Sequence, residues 1–297
     1  MRPMLTVFTP TYNRKETLQR TYESLCRQTC DDFLWLIIDD GSTDGTEKAV
    51  KEWMENKNKF EIRYCLKENG GLHTGYNKAI ELADTELMVC IDSDDFMPDN
   101  AVELICRKWR AEGNGRVAGI IGLDYYLNGD VVGNRLPETK TLNLNDVAIG
   151  RIDVHGDKKQ VVRTELFKEV APMPTFPGEK NFNPYYMIQK IGRKYEFLVL
   201  NENLCFVDYQ QGGMTSNQWK QYVNSPRSFA EIRKQSMQAE GGKFSYYFKQ
   251  CIHYVSSSIL AKNKSFIGES PKKIMTVCAI PFGIALTAYI KRKVKKG

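Results

Sequence analysis

The sequence predicts an α/β protein: a mostly parallel sheet flanked by helices, with a helical C-terminal extension. Short apolar runs alternate with segments of helical spacing over the first 125 residues, the pattern of strand–helix–strand units. The apolar runs also end in polar clusters, Thr9-Pro10-Thr11, Asp39-Asp40-Gly41 and Asp92-Ser93-Asp94. Ligands of such sheets bind beyond the carboxyl ends of the strands, where polar residues are needed. From residue 228 onward the spacing is largely helical.

Taken in order, residues 5–8 form a first strand. A helix is predicted over 14–28, with Leu18, Tyr22 and Leu25 at i, i+4 and i+7. Residues 33–38 are a second buried strand, and 46–56 a helix with Val50, Trp53 and Met54 on one face. Residues 61–66 give a third strand, its alternation weakened by Arg63. A helix over 72–83 leads to the apolar run 87–91, followed by a helix over 100–111 and a strand over 117–123. Strands separated by such helices imply right-handed crossovers and parallel pairing. Beyond residue 124 the pattern is irregular. A hairpin turning at Asn128-Gly129 is expected, then a loop through Pro137 and a helix over 161–170. The proline-rich segment 172–178 can be neither helix nor central strand, and it shapes a site or a boundary. Short strands are predicted at 197–200 and 204–207, and a flexible loop at 212–216. No internal repeat or low-complexity tract is present.

The 42% hydrophobic content is ordinary for a globular chain of 297 residues. The net charge of +6 is unevenly placed. Residues 272–297 hold seven Lys and Arg and no acid, leaving 35 basic against 36 acidic residues in the body. A neutral body argues against a nucleic-acid groove. A basic tail favours contact with an anionic surface such as lipid. The eight cysteines contain no Cys-x-x-Cys pair, which disfavours a zinc ribbon. With no signal peptide at the N-terminus, reduced thiols in a cytoplasmic protein are expected.

The chemistry concentrates at Asp92-Ser93-Asp94-Asp95. Clustered carboxylates at the end of a buried strand repel each other unless a cation sits among them. Residues i and i+2 of an extended chain point the same way, so Asp92 and Asp94 can face one ligand. Hard oxygen donors suit Mg²⁺ or Mn²⁺ shared with phosphates. A helix cap is the competing explanation, through Asp95 or Asp99, but a cap needs one acid and not three.

The chain resembles the family 2 glycosyltransferases with a GT-A (Rossmann-like) fold. The resemblance is carried by Thr9-Pro10-Thr11-Tyr12-Asn13, Ser24-Leu25-Cys26-Arg27-Gln28-Thr29 and the segment from Ile38-Asp39-Asp40-Gly41 to Thr46. Asn69-Gly70-Gly71-Leu72 with Gly75-Tyr76-Asn77-Lys78-Ala79, and then Ile91-Asp92-Ser93-Asp94-Asp95, complete it. Each is weak alone, and the five in this order are specific. The match is good over 4–125 and loose over 150–216.

The resemblance implies a nucleotide-sugar donor, commonly a UDP-sugar, and a glycan or lipid-linked acceptor. It implies that Asp40 accepts the uracil N3–H and that Thr9 and Pro10 line the base pocket. Tyr12, Asn69, Gly70, Asn77 and Ser93 belong to the same donor-binding set. Asp92 is expected at the ribose or the metal, and Asp94 at a Mn²⁺ or Mg²⁺ ion bridging the diphosphate. Glu179 is the leading candidate base for the acceptor hydroxyl, with Asp157 and Glu165 as weaker alternatives; a carboxylate that only removes a proton makes the reaction an inverting single displacement. On this reading residues 1–220 form the transferase domain, 1–125 its donor half and 126–220 its acceptor half, and 221–297 the helical extension.

Some features depart from the family pattern. Tyr76 stands where many relatives carry Arg, leaving Lys78, a loop residue or the metal to neutralise the diphosphate. His73 offers a further donor contact, explained nearly as well by a helix turn. The Gln-x-x-Arg-Trp pattern of processive synthases is missing, and Gln218-Trp219-Lys220 does not replace it, so one sugar per encounter is expected. His155 is a lone histidine.

The tail contains an uncharged run over 274–290 bracketed by Lys272-Lys273 and Lys291-Arg292-Lys293. A spanning helix needs roughly 20 apolar residues, and Pro281 and Gly283 are expected to interrupt this one. An interfacial helix through 272–297, peripheral on the inner face of the plasma membrane, is therefore expected. The alternatives are an inactive nucleotide-sugar-binding scaffold at the membrane and a sugar nucleotidyltransferase. The latter would carry a Gly- and Arg-rich loop after its first strand, and residues 9–15 lack glycine.

Overall fold

The computed structural model describes residues 2–208 and 218–296. The first half runs β1 (Leu5–Thr11), α1 (Lys15–Cys26), β2 (Phe33–Asp39), α2 (Thr46–Glu55), β3 (Glu61–Leu66), α3 (Leu72–Leu82), β4 (Leu87–Cys90), α4 (Ala101–Glu112) and β5 (Val117–Tyr126). Then come β6 (Thr141–Leu142), α5 (Leu144–Ala148), β7 (Lys158–Arg163), α6 (Thr164–Val170), α7 (Tyr185–Ile191) and β8 (Glu196–Val207). The extension holds α8 (Gln218–Asn224), α9 (Pro226–Met237), α10 (Phe244–Leu260), α11 (Phe266–Glu269) and α12 (Lys273–Lys296).

Among the described residues one eight-stranded sheet has the order β3-β2-β1-β4-β7-β5-β8-β6. β1 pairs in parallel with β2 on one side and β4 on the other. The chain therefore winds outward in both directions from the β1–β4 pair, and the crevice beyond these two strands is a switch point. β1 and β2 are buried along their whole length, as strands covered on both faces must be. One face packs Leu18, Tyr22, Trp53 and Ile105 from α1, α2 and α4 against Trp35. The other packs Ile80, Phe167 and Met187 from α3, α6 and α7 against Phe8 and Leu36. A separate cluster joins α9, α10 and α12 through Met237, Tyr254, Val255 and Ala279.

The strands and helices of the first 125 residues fall where the sequence places them, and the hairpin turns at Asn128-Gly129, with Gly129 at φ 88°. Three segments differ. Residues 161–163, expected to begin a helix, finish β7, and the helix starts only at Thr164. β7 runs antiparallel between β4 and β5, which satisfies an edge that local propensity cannot foresee. The two short strands at 197–200 and 204–207 are one strand, β8, whose pairing with β5 shifts register between Ile121–Val199 and Leu123–Asn203. A bulge absorbs the polar residues between them. Pro281 sits inside α12, which runs unbroken through it and Gly283 for 24 residues. The expected loop at 212–216 lies outside the described residues.

Tyr22 lies flat on Trp53, with centroids 4.7 Å apart and 7° between planes, and Trp35 packs 5.9 Å from Trp53. This stack clamps α1 and α2 to β2. Trp53→Ala is expected to cost about 3–5 kcal/mol, the usual loss for a large buried aromatic. A urea midpoint unchanged from wild type would refute that placement of the core.

Candidate active site

β1 and β4 end side by side, and the ladder continues one step further through Ile91 N–H donating to Phe8 O at 3.0 Å. The chain then turns sharply, Asp95 N–H donating to Asp92 O at 2.9 Å. Asp92 is left exposed at the crevice, Ser93 is buried, and the Asp94 side chain is 24% exposed. Arg14, at the start of α1, donates from Nη1 to Asp94 Oδ2 at 2.5 Å. Arg20, on the next turn of α1, donates to Asp94 O at 3.0 Å and to Asp208 Oδ2 at 2.8 Å. Thr21 Oγ1 donates to Asp95 O at 2.7 Å. The acidic turn is thus fastened to α1 from three successive directions.

Behind it lies a buried charge cluster that the sequence reading missed. β7 brings Lys159 Nζ to 3.7 Å from Asp124 Oδ1, with side chains 12% and 2% exposed. Burial raises the Asp95 carboxyl to about 7 and the Asp124 carboxyl to about 6, with Lys159 pulling both back down. Burial works against the Lys159 charge, but Asp124, Cys205, Asp95 and Asp92 outweigh it and hold its pKa well above the ordinary lysine value. Its neighbour Lys158 points elsewhere, donating to the carbonyls of Val132 and His155 at 2.7 and 2.8 Å. An alternating Lys158-Lys159 pair was the available signal, since successive residues of a strand face opposite sides of the sheet.

The loop after β2 is organised by Asp40. Its carboxylate accepts from Gly70 N–H at 2.9 Å, Gly71 N–H at 2.7 Å, Asn69 Nδ2 at 3.1 Å and Lys67 Nζ. Asn69 Nδ2 also donates to Asp40 O at 2.8 Å. Gly71 has φ +92°, and a Cβ there would lie 2.0 Å from Lys180 O. The strand-end loops are laced as well: Asn13 N–H donates to Ser42 Oγ at 2.8 Å, and Thr43 N–H to Asn13 Oδ1 at 2.7 Å.

These positions bear on several expected contacts. The Thr9 hydroxyl is turned into the core, where it accepts from Trp35 Nε1 at 3.0 Å, so it does not face a base pocket. Pro10 packs close to Gly75 of α3, and Tyr12 stands 50% exposed beyond β1. Asp40 already accepts four donors, so a uracil N3–H could bind it only by displacing one of them. Asn77 is occupied twice by the proline-rich loop, donating to Met173 O at 3.0 Å and accepting from its N–H at 2.8 Å.

Glu179 is also spoken for. Its side chain is 5% exposed. It accepts Arg227 N–H and Nε at 3.0 and 2.9 Å, and Ser228 N–H and Oγ at 2.8 and 2.7 Å. This carboxylate caps α9 and has no free lone pair to offer an acceptor hydroxyl. His73 is 1% exposed beside Phe182, and burial lowers its pKa. The Tyr76 ring packs edge-on to Phe8 at 4.9 Å. Lys78 pairs with Glu81 at 2.7 Å on the helix surface, and His155 sits in the open, 3.5 Å from Asp153.

The acidic turn fits a divalent ion of the Mg²⁺ or Mn²⁺ type. Asp92 and Asp94 supply two hard oxygen donors, and Asp94 already binds a cationic group, Arg14. Among the described residues no three acidic, His or Cys side chains gather into a closed cage. Mg²⁺-type sites of this kind are completed by substrate phosphates and water.

A doubly wound sheet with an acid pair at its switch point defines a GT-A fold. TarS from S. aureus, residues 1–349 in complex with UDP-GlcNAc, superposes with a TM-score of 0.65 over 99% of this chain and 92% of that one at 16% identity. PcManGT, a mannosyltransferase from Pyrobaculum calidifontis in complex with GDP-Man and Mn²⁺, gives a TM-score of 0.57 over 96% of this chain and 88% of that one at 17% identity. Residues 6–145, just under half of the chain, match the family described as Glycosyl transferase family 2, which marks this segment as a glycosyltransferase domain. TuaG of Bacillus subtilis (strain 168), assigned to teichuronic acid biosynthesis, is 24% identical over 84% of this chain and 97% of its own length. The chondroitin synthase of Escherichia coli is 33% identical over 37% of this chain, which spans only 16% of that protein.

The raised carboxyls fix the sign of a pH effect. A folded-state pKa above the unfolded value gives stability that is present below the unfolded pKa and lost as pH rises through the folded one. For Asp95 and Asp124 the loss falls between about 4 and about 7. In metal-free buffer the melting temperature is expected to fall by a few degrees from pH 5.5 to 8, and Asp95→Asn to flatten that slope. Equal slopes for the two proteins in a thermal melt would contradict the cluster.

Proposed function

We propose that this glycosyltransferase moves one sugar from a UDP-sugar, with inversion, to a glycan or lipid-linked acceptor of a cell-surface polysaccharide. The proposed setting is the cytoplasmic face of the membrane. The observation that carries the donor reading is the Asp92–Asp94 turn in the switch-point crevice, held by Arg14. The relatives support the polysaccharide part, since TuaG and the chondroitin synthase are enzymes of such polymers by name.

Asp92 and Asp94 would hold the Mn²⁺ or Mg²⁺ ion, which supplies charge neutralisation for the departing nucleoside diphosphate. Asp40 shapes the donor loop by fixing the 69–71 backbone, and Gly71 lets residue 180 approach that loop. Arg14 and Lys159 lessen the repulsion between the acidic crevice and an anionic donor. Asn77 and Glu179 act as positioning residues, tying the 172–180 loop to α3 and α9. One displacement needs no enzyme nucleophile, so the anomeric carbon inverts. The acceptor proton passes to a carboxylate of the crevice and not to Glu179.

Released UDP should be measured across a panel of UDP- and GDP-sugars, with Mn²⁺, with Mg²⁺ and with EDTA. Metal-dependent turnover of a UDP-sugar is expected, reduced roughly 10²–10³-fold in Asp94→Asn, the scale of losing a charge-stabilising group. Turnover indifferent to EDTA, or confined to GDP-sugars, would overturn the metal or the uridine part.

Glu179→Gln separates capping from catalysis. As a cap the residue stabilises the fold, and removing a buried, four-fold bonded carboxylate is expected to cost about 2–4 kcal/mol. The expected result is a lower melting temperature, with the turnover of still-folded enzyme within a few-fold of wild type. An unchanged melt with abolished transfer would restore Glu179 as the base.

A further inference from the structure

α12 is amphipathic in the inverse sense. Its packed seam is made of small and hydroxylic residues, Thr276, Ala279, Gly283 and Thr287, all buried. A Cβ on Gly283 would lie 2.4 Å from Val255 Cγ1 and 3.2 Å from Ile252 O, so only glycine permits this approach to α10. Thr287 Oγ1 donates to Ser256 Oγ at 3.0 Å across the same seam. Spacing of small residues three or four apart is how helices pack closely when the apolar surface is reserved for another solvent. The opposite face is apolar and open: Ile274 is 84% exposed, Phe282 55%, Ile284 54%, Val277 48% and Tyr289 47%. No charged residue occurs between Lys273 and Lys291.

The patch continues beyond α12. Phe282 meets Phe248 of α10 at 5.5 Å, and Phe248 stacks on Phe244, which is 70% exposed. Tyr289 meets Trp219 of α8 edge-on at 5.4 Å. Both ends of the face are basic, with Lys272 and Lys273 before it and Lys291, Arg292, Lys293 and Lys295 after it, and no acid in the segment. A protein partner of ordinary surface would meet this charge with scattered acids, whereas an anionic bilayer meets both the apolar strip and its cationic ends at once.

We propose that the outer face of α12, with Phe244, docks in the plane of an anionic lipid surface. A helix of 24 residues is long enough to span by length alone, but its surroundings forbid it. α12 is packed on α10, and α10 on α9. α9 carries Arg233 and the Glu231–Lys234 pair at 2.6 Å. Enclosing α12 in hydrocarbon would draw those charges toward the bilayer core. Only the outer strip is free to enter, with the lysines at headgroup level. This deepens the proposed function and rests on its membrane setting, because it names the surface that brings the crevice to a lipid-borne acceptor.

The test is flotation of the full chain with vesicles of phosphatidylcholine alone or mixed equally with phosphatidylglycerol, in the absence of sugar donor. At least tenfold greater flotation with the anionic vesicles is expected. Val277→Glu/Phe282→Glu should lower it at least tenfold with an unchanged melting temperature. Lys291→Glu/Arg292→Glu/Lys293→Glu, all on exposed positions, should remove the preference for anionic lipid. Wild type that stays unbound to both vesicles, or a double variant that floats equally well, overturns the proposal. So does a stable dimer by light scattering that Phe282→Glu converts to monomer, since a second copy then covers the face. Flotation reads no sugar transfer, so its failure leaves the transferase chemistry standing, and failed transfer leaves the docking result standing.

Discussion

Keeping four carboxylates together at one end of the sheet is the constraint from which the rest of the crevice follows. Asp92, Asp94, Asp95 and Asp124 converge there, and like charges at short range in a poorly solvated site are costly. The chain answers with two cations of different kinds. Lys159 is built into β7 and buried against Asp124. Arg14 comes from the start of α1 and is 37% exposed on Asp94. The first is a permanent part of the sheet. The second sits at the solvent side of the crevice, where a donor has to enter. Protons complete the balance, since burial raises Asp95 to about 7.

Other acidic and amide side chains near the site are framework. Asp40 fixes the backbone at 70 and 71, Asn77 fixes Met173, and Glu179 fixes the first turn of α9. Each satisfies main-chain groups that would otherwise be left without partners in a loop. Charged groups bind this irregular backbone more strongly than neutral ones do. A substitution at such a position shifts several loops together, so its effect on activity says little about contact with substrate.

How much of this could be read from the sequence depended on the range of the interaction involved. Strands β1 to β5 and helices α1 to α4 were legible because their signals, apolar runs and helical spacing, lie within a few residues. The acidic turn was legible for the same reason. β7 was not, because its alternation is masked by Lys158 and Lys159, two buried lysines with separate partners: carbonyls on one face, carboxylates on the other. The capping role of Glu179 depends on Ser228, 49 positions away. The resemblance places Thr9 in the base pocket, yet strand pleating turns its hydroxyl into the core toward Trp35. In α12 the proline predicts a break, but it lies on the outer, unpacked face, so the contact with α10 does not depend on straight geometry at that position.

Charge balance bears on the metal independently of any motif. Four carboxylates face Lys159 and Arg14, and Arg20 is already committed to Asp208. With a proton held near Asp95, the crevice remains slightly acidic at neutral pH. Under the proposed function a nucleoside diphosphate sugar would add about two further negative charges, and among the described residues α12 packs in its own helical cluster with α9 and α10. An anion entering an acidic site needs a compensating charge brought with it. In the proposed reaction a divalent ion held by Asp92 and Asp94 would provide that charge, and a monovalent side chain in its place would provide half of it.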